Sequence, residues 1–559
     1  MNIINQKNFN YTLYFYAILA LMLPNIALCF TEKLPLWACC TNILLPLGIY
    51  TLLMSLCKKT GKMVWWCFIL IFFAAFQLVL LYLFGKGVIA VDMFLNLVTT
   101  NPGEAMELLD NLVPAVAGVF IVYLPLLILG VVSIRSKRFE TLSIDFRKKW
   151  QKYGCILSLV GLCCMGIAYL TNNGKKGDTT NETCYQAQLH LYPVNVFYNL
   201  ILAVERNNAS ENYQQASAAF RFHATPTHPK DSTEIYVMVI GETARANNFS
   251  LYGYHRDTNP LLSKTENLMA FDHVTTQSNT THKSVPMLLS AASARDFERL
   301  FHEKGILAAF KEAGFHTVFV SNQLPNHSFI DFLGQQADEW QFIKKGDKDN
   351  YYDADLLPIF DKLLSQKHKK LFVVLHTYGS HFSYKDRYPR EMAYFKPDTQ
   401  SDAKPENRRD LVNAYDNTIR HTDFVLHSII QRLQKQGGMS AMLYTSDHGE
   451  NIFDDSRKLF LHASPRASKY ELHVPFIVWT SKSYNHQQPM VKQSLESHIH
   501  EEIQSSRSAF HTMLTIGGLS THYLEENNSV ASPKYKPSPL LYLNDHDKPI
   551  PQSECGFDK

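Results

Sequence analysis

Three short apolar runs in this chain each end on residues that can bind a metal or move a proton. IYVMVI (235–240) is followed by Gly241-Glu242-Thr243, and LFVVL (371–375) by His376 and then His381. The run ending at Tyr444 is followed by Ser446-Asp447-His448-Gly449-Glu450. A single Asp-His pair is an ordinary surface feature, but three such clusters behind three apolar runs point to one shared site. Carboxylates with imidazoles suit zinc, with manganese also compatible, and no cysteine lies near the clusters, which excludes a thiolate site. Such a site needs a reacting oxygen. The segment 275–286, TTQSNTTHKSVP, offers four threonines and two serines ahead of an apolar helical run at 285–292. A hydroxyl at the amino end of that helix would meet the positive end of its dipole, and a neighbouring metal would lower its pKa. Residue types alone leave Ser278, Thr280 and Thr281 as candidates.

These groups need a common frame. From Glu234 onward short β-branched runs at 235–240, 317–320, 371–375, 441–444 and 474–479 alternate with helical patterns. The longest helical pattern, 409–435, places Leu411, Tyr415, Thr418, Phe424, Val425, Ile429 and Leu433 near one face. Continuous apolar strands alternating with helices imply an α/β domain with a mainly parallel sheet. Working residues in such sheets collect at the carboxyl ends of the strands, where all three clusters fall.

Across 559 residues, Lys+Arg 54 against Asp+Glu 51 leaves a formal charge of +3, too balanced for a nucleic-acid binder. No histidine precedes His190, whereas eight of the ten cysteines lie in the first third, so the two parts face different solvents. Five apolar stretches, 11–30, 34–56, 63–85, 112–134 and 153–171, are each long enough to span a bilayer. Lys58, Lys59 and Lys62 lie between the second and third, and Arg135, Lys137, Arg138, Arg147, Lys148, Lys149 and Lys152 between the fourth and fifth. Both loops are therefore expected to be cytoplasmic, with the amino terminus. The loop 86–111, with Asp92, Glu104, Glu107 and Asp110, and everything after Thr171 then lie outside. The expected organisation is a transmembrane domain at 1–171, a connector at 172–233 and an exported α/β domain at 234–559. Within the connector, 193–204 (PVNVFYNLILAV) reads as a helix lying at the membrane–water interface or against the exported domain, and 216–233 as a polar linker. Cys184 and Cys555 are the exported cysteines and could pair in an oxidising compartment; most of the others are expected as small buried residues of apolar helices.

The stretch GETARANNFSLYGYHRDTNP (241–260) is close to a signature of bacterial phosphoethanolamine transferases, and NAYDN (413–417), SDHGE (446–450) and the five-span amino-terminal region also match. On these residues nearly the whole chain resembles that family, which includes lipid A modifiers behind polymyxin resistance and belongs to the alkaline phosphatase/sulfatase superfamily. The resemblance implies a multi-pass protein of the bacterial inner membrane with a sulfatase-like periplasmic catalytic domain. It also implies one zinc ion, with a second left open. Glu242, Asp447 and His448 match the family's metal ligands. Matching VTTQSNTTHKSVP from its Val-Pro end selects Thr281 as nucleophile and fourth ligand. His381, in LHTYGSHF, and His462, in FLHAS, resemble two histidines that hold the substrate phosphate and could take part in catalysis. Asn96, Thr100 and Glu104 have the spacing of family residues that contact the donor lipid's head group, and at helical spacing they would share one face. Gln323 and His327 fall at about the positions of a family Asn and Lys in the substrate site.

The implied reaction transfers phosphoethanolamine from phosphatidylethanolamine, through a phosphothreonine, to lipopolysaccharide (lipid A, Kdo or core) or another envelope glycan. The alternative is a phosphoglycerol transferase of the lipoteichoic acid synthase type, which shares five spans and a threonine nucleophile; the 241–260 stretch argues against it. The chain departs from many relatives in having Gln277 where a cysteine beside the nucleophile would sit, and few exported cysteines. That departure bears on the acceptor rather than on the ligand set. Asn279-Thr280-Thr281 is also a glycosylation sequon, and a glycan there would cover the proposed nucleophile, which disfavours a eukaryotic secretory origin.

Overall fold

The computed structural model describes residues 8–32, 34–84, 87–99, 102–173, 185–229, 231–344, 351–400, 402–464 and 466–556. The chain divides into two units, 1–95 with 108–205 and 96–107 with 206–559.

The amino-terminal helices are α1 (Phe9–Thr31), α2 (Leu36–Ser55), α3 (Thr60–Trp66), α4 (Phe68–Phe84), α5 (Val91–Thr99), α6 (Pro102–Arg135), α7 (Ile144–Asn173) and α8 (Val194–Glu211). α1, α2, the Val113–Arg135 part of α6 and the Ile144–Thr171 part of α7 are each long and apolar enough to cross a bilayer. The expected third span is not one rod. Its two halves, α3 and α4, meet at 65° around Cys67, and they make a fifth span only as a bent pair. A Cβ on Gly48 would lie 2.4 Å from Ser158 Oγ, so glycine lets α2 and α7 pack backbone to backbone, as small residues do between helices in lipid. Buried polar groups find partners within this unit: Asn10 Oδ1 accepts from Ser133 Oγ at 2.6 Å, and Asn25 Nδ2 donates to Asn42 Oδ1 at 3.0 Å. Cys67 and Cys164 are buried as expected, but Cys155 and Cys163 are exposed on α7, since a lipid-facing surface accepts an apolar thiol as readily as a core does. On α8, Val196 and Ala203 pack among Leu28, Phe73, Ile89 and Val91, while Val194, Ile201 and Val204 are exposed.

The second unit is built on a seven-stranded sheet of β1 (Glu234–Gly241), β2 (Leu268–Phe271), β3 (His316–Ser321), β4 (Glu339–Phe342), β5 (Lys370–His376), β6 (Met439–Ser446) and β7 (Phe476–Thr480). Their spatial order is β2-β7-β6-β1-β5-β3-β4. Pairing is parallel from β6 through β1, β5 and β3 to β4, whereas β7 runs antiparallel to both β6 and β2. All eight residues of β1 are buried, which is why it reads as one unbroken apolar run. Its side chains alternate between two cores. Tyr236, Met238 and Ile240 join the layer that holds α9 (Thr281–Leu289), α10 (Ile306–Glu312) and α13 (Ser505–Ile516). Ile235, Val237 and Val239 join the layer of α11 (Leu356–Ser365) and α12 (Arg408–Gln436). Two edge-side strands, LMAF and EWQF, were not anticipated; they are short, and EWQF is mostly exposed. Residues 216–233 are not the expected linker. Phe222 is buried in the first core and Thr225–Pro226 pairs with Leu519–Ser520, because alternating aromatics in a polar run suffice to anchor it. Cys184 lies outside the described residues; Cys555 packs against Ala467, Leu472 and Tyr542.

Candidate active site

The carboxyl ends of the central strands deliver the site. Glu242 follows β1, Asp447 and His448 follow β6, and His376 closes β5. Glu242, Asp447 and His448 are buried, with one ligand atom from each lying within 4.8 Å of the others. The turn that carries Glu242 is strained, since Thr243 sits at φ 62, a region that a β-branched residue rarely occupies. It is held there from both sides: its N–H donates to Asp447 Oδ1 at 3.0 Å, and its carbonyl accepts from Tyr415 at 2.7 Å. Gly379, at φ 54, crosses so close that a Cβ would lie 2.4 Å from the Glu242 carbonyl oxygen, which accounts for the glycine in LHTYGSHF.

Among the three hydroxyl candidates, the fold places Thr281 in the group. Its Oγ1 donates to Glu242 Oε1 at 3.1 Å and lies 3.1 Å from His448 Nε2. Ser278 and Thr280 hydrogen-bond to each other instead. The helix expected from 285 begins at Thr281 itself, with Thr280 as its N-cap. The apolar run marks only the part that faces the core; the first turn is polar because it faces the site.

The charges in this cluster call for a cation. Burial, then the neighbouring Asp447, raises the Glu242 pKa; burial raises that of Asp447. Burial opposes the charging of His448, but the two carboxylates outweigh it and push its pKa up. His448 Nδ1 lies 2.9 Å from the Gly449 carbonyl oxygen, so Nδ1–H donates there, and Nε2 faces Asp447 Oδ2 at 3.2 Å and Glu242 Oε1 at 3.5 Å, where a cation would take its lone pair. Two desolvated carboxylates and an imidazole lone pair turned toward one point fit a divalent ion of the zinc class.

Two further histidines border this point. The His462 ring is centred 4.2 Å from that of His448 and 6.0 Å from that of His381. Burial, then His448, His381 and His282, pushes the His462 pKa well down, so it is neutral at pH 7. Its Nδ1 lies 3.2 Å from Glu450 Oε1. Glu450 is the member of SDHGE for which the sequence suggested no role; only its burial in three dimensions reveals the pairing. Gln323 is also brought in. Its Nε2 donates to Glu242 Oε2 at 3.1 Å and to the Thr377 carbonyl at 2.9 Å, and lies 3.1 Å from His376 Nε2. His327 is not brought in: it stands exposed in the following loop, with its N–H on Asp331 Oδ2. Asn96 lies on α5 and Glu104 on α6. Thr100 lies outside the described residues.

The remaining signature residues hold this scaffold. Asp416 accepts from Asn248 at 2.5 Å, Tyr254 at 3.0 Å and Arg256 at 2.6 Å, which locks 241–260 onto 413–417 of α12. Arg245 pairs with Asp454 at 2.6 Å and donates to the Glu450 carbonyl at 2.9 Å. Comparison with known proteins places this arrangement. The sulfatase family model matches residues 234–519, just over half of the chain. The chain belongs to the sulfatase family. A stretch of 321 residues is 28% identical to phosphoethanolamine transferase EptA of Salmonella typhimurium, covering 56% of this chain and 58% of the relative. The match thus spans little more than half the length of that relative. The integral membrane protein lipooligosaccharide phosphoethanolamine transferase A of Neisseria meningitidis superposes with a TM-score of 0.70 at 20% identity, over 93% of this chain and 97% of that one. The periplasmic domain of EptC from Escherichia coli, solved as a complex with zinc, superposes at 0.55 and 23% identity over 60% of this chain and 97% of that one. A membrane helix unit followed by a sulfatase α/β unit is therefore the shared fold.

Proposed function

We propose that this protein is a zinc-dependent phosphoethanolamine transferase of the bacterial inner membrane, with its catalytic unit in the periplasm and its amino terminus in the cytoplasm. Its donor is phosphatidylethanolamine and its acceptor a lipopolysaccharide (lipid A, Kdo or core) or another envelope glycan. The observation that carries this reading is Thr281 Oγ1, placed 3.1 Å from both Glu242 Oε1 and His448 Nε2 at the first residue of α9. The names of the relatives, with the 241–260 signature, supply the head group.

Glu242, Thr281, Asp447 and His448 would hold the ion. Zinc bound there supplies a Lewis acid that offsets charge on the phosphoryl oxygens. Thr281 is set to attack phosphorus, and its hydroxyl proton already has an acceptor in Glu242 Oε1. As the Oγ1–phosphorus bond forms, the phosphorus–glycerol oxygen bond breaks, and diacylglycerol leaves with a proton. His381 and His462 border the same point and are assigned to hold the phosphate and to pass that proton. The acceptor oxygen then attacks phosphorus, the Thr281–phosphorus bond breaks, and the threonine regains its proton. Gln323 is assigned to the site through Glu242. Asn96, Thr100 and Glu104 are assigned to the donor head group on their spacing.

The test is to incubate the full-length protein in liposomes with phosphatidylethanolamine and map the covalent adduct by peptide mass spectrometry. A phosphoethanolamine adduct on Thr281, lost in Thr281→Ala while zinc is retained, is the expected result. An adduct on Ser278 or Thr280 overturns the assignment of the nucleophile, and a phosphoglycerol adduct overturns the substrate. Mass spectrometry of envelope glycolipids from cells with and without the gene then names the acceptor.

A further inference from the structure

The sheet has a second rim, at the amino ends of its parallel strands, and a second ligand cluster sits there. His316 opens β3, Glu339 opens β4, and His368 lies two residues ahead of β5. Parallel pairing sets His316 opposite Leu371 and Val318 opposite Glu339, so three neighbouring strands begin side by side and bring these residues together. One ligand atom from each lies within 4.8 Å of the others. His316 Nε2 is 2.9 Å from Glu339 Oε1, and the two imidazole rings stack with centroids 4.0 Å apart and planes 9° apart. Asp338 is adjacent but already engaged: it takes Lys311 Nζ at 2.7 Å and both the backbone N–H and the hydroxyl of Thr317 at 2.9 Å. It therefore stays outside the set.

We propose that His316, Glu339 and His368 form a second divalent transition-metal site, remote from the catalytic rim. An ion pair between His316 and Glu339 accounts for two of the three residues. His368 stacks on His316 and its Nε2 lies 2.9 Å from Gln366 Oε1, which leaves Nδ1 as the atom that would ligate once the ring turns off the stack. Two imidazoles and one carboxylate form a donor set of the zinc class and are poorly suited to magnesium or calcium, which take oxygen ligands. All three side chains are partly open to solvent, so water can complete the coordination and the ion can enter from bulk. The position suggests its consequence. β4 is the exposed edge of the sheet, paired to β3 alone, and an ion shared by Glu339, His316 and His368 ties that edge to its two inner neighbours.

The test uses detergent-purified full-length protein, stripped with chelator and titrated with zinc, with bound metal read by equilibrium dialysis and elemental analysis. His316→Ala with His368→Ala is expected to lower zinc content by one equivalent per chain while leaving transfer unchanged. The same pair placed in a Glu242→Ala, Asp447→Ala background is expected to remove the zinc that background retains. The increase in Tm on adding zinc to the Glu242→Ala, Asp447→Ala protein should disappear with the rim histidines. Equal zinc content with and without His316 and His368 overturns the site, as does displacement of rim zinc by equimolar magnesium. Because the readout is metal held in the absence of the catalytic ligands, it stands or falls apart from the transferase reading.

Discussion

Gln323 holds Glu242 by the oxygen that Thr281 does not use. The amide donates to Oε2 at 3.1 Å, while Oε1 accepts from Thr281 at 3.1 Å and from Thr243 at 2.8 Å. The carboxylate is thereby fixed in rotation, with one oxygen turned to the scaffold and one to the site. Gln323→Ala should lower zinc affinity by about 10- to 100-fold, the usual effect of losing a residue that orients a ligand. Glu242→Ala and Asp447→Ala should abolish zinc binding at the catalytic rim, and transfer with it. Competition with a zinc chelator measures the difference; Gln323→Ala with wild-type affinity would return Gln323 to a purely substrate-facing role.

Burial disfavours the charged form of Glu450. Burial, then the nearby Glu471, pushes its pKa well up, and its Oε2 accepts from Tyr384 at 3.3 Å. A neutral carboxyl differs little from an amide, so Glu450→Gln should retain transfer within about threefold. Glu450→Leu leaves His462 Nδ1 without its buried partner, at a cost of about 1–3 kcal/mol, and should reduce transfer by roughly 10- to 100-fold. Steady-state transfer rates of the two variants, with zinc content as control, decide the matter.

Glu234 sets an acid limit on the scaffold. Burial raises its pKa, but hydrogen bonds from His228, Lys370 and Ser232 outweigh that and hold the carboxyl at about 2. A carboxyl lowered on folding stabilises the fold above its ordinary value of 4.5, and that contribution is lost as pH falls from there toward 2. At neutral pH the contribution is about 3 kcal/mol, at about 1.4 kcal/mol per unit. Glu234→Gln should therefore lower stability at pH 7 and flatten its fall below pH 4.5. Thermal unfolding across that range measures both effects.

The catalytic unit should need the segment ahead of its first sheet strand. Tyr213 is buried, its hydroxyl donates to the Glu303 carbonyl at 2.8 Å, and Phe222 fills the same core. A chain beginning at Arg206 should fold. One beginning at Ser217 loses Tyr213, at a cost of about 3–5 kcal/mol for a buried aromatic. One beginning at Glu234 loses Phe222 and the pairing with Leu519–Ser520 as well, and should be insoluble. Differential scanning fluorimetry on the three chains tests the order.

The local sequence carried much of this. The β1 run is buried on both faces, so its apolar character is unbroken, and the residues that follow such strands must emerge at one rim. Glu242, Asp447 and His448 were legible for that reason, as were the membrane helices, whose length and composition are set by the lipid they cross. The family signature singled out Thr281 by matching, but why it rather than Thr280 faces Glu242 depends on where α9 begins, and no apolar pattern marks a helix turn that faces a site. The bend at Cys67, the docking of 216–233 and the pairing of Glu450 with His462 were likewise decided by tertiary contacts. His316, Glu339 and His368 are spread over more than fifty residues and carry no motif. Only the parallel register of three strands, set by side chains elsewhere in the sheet, brings them to one point, because a strand's neighbours are chosen by the whole core rather than by the strand itself.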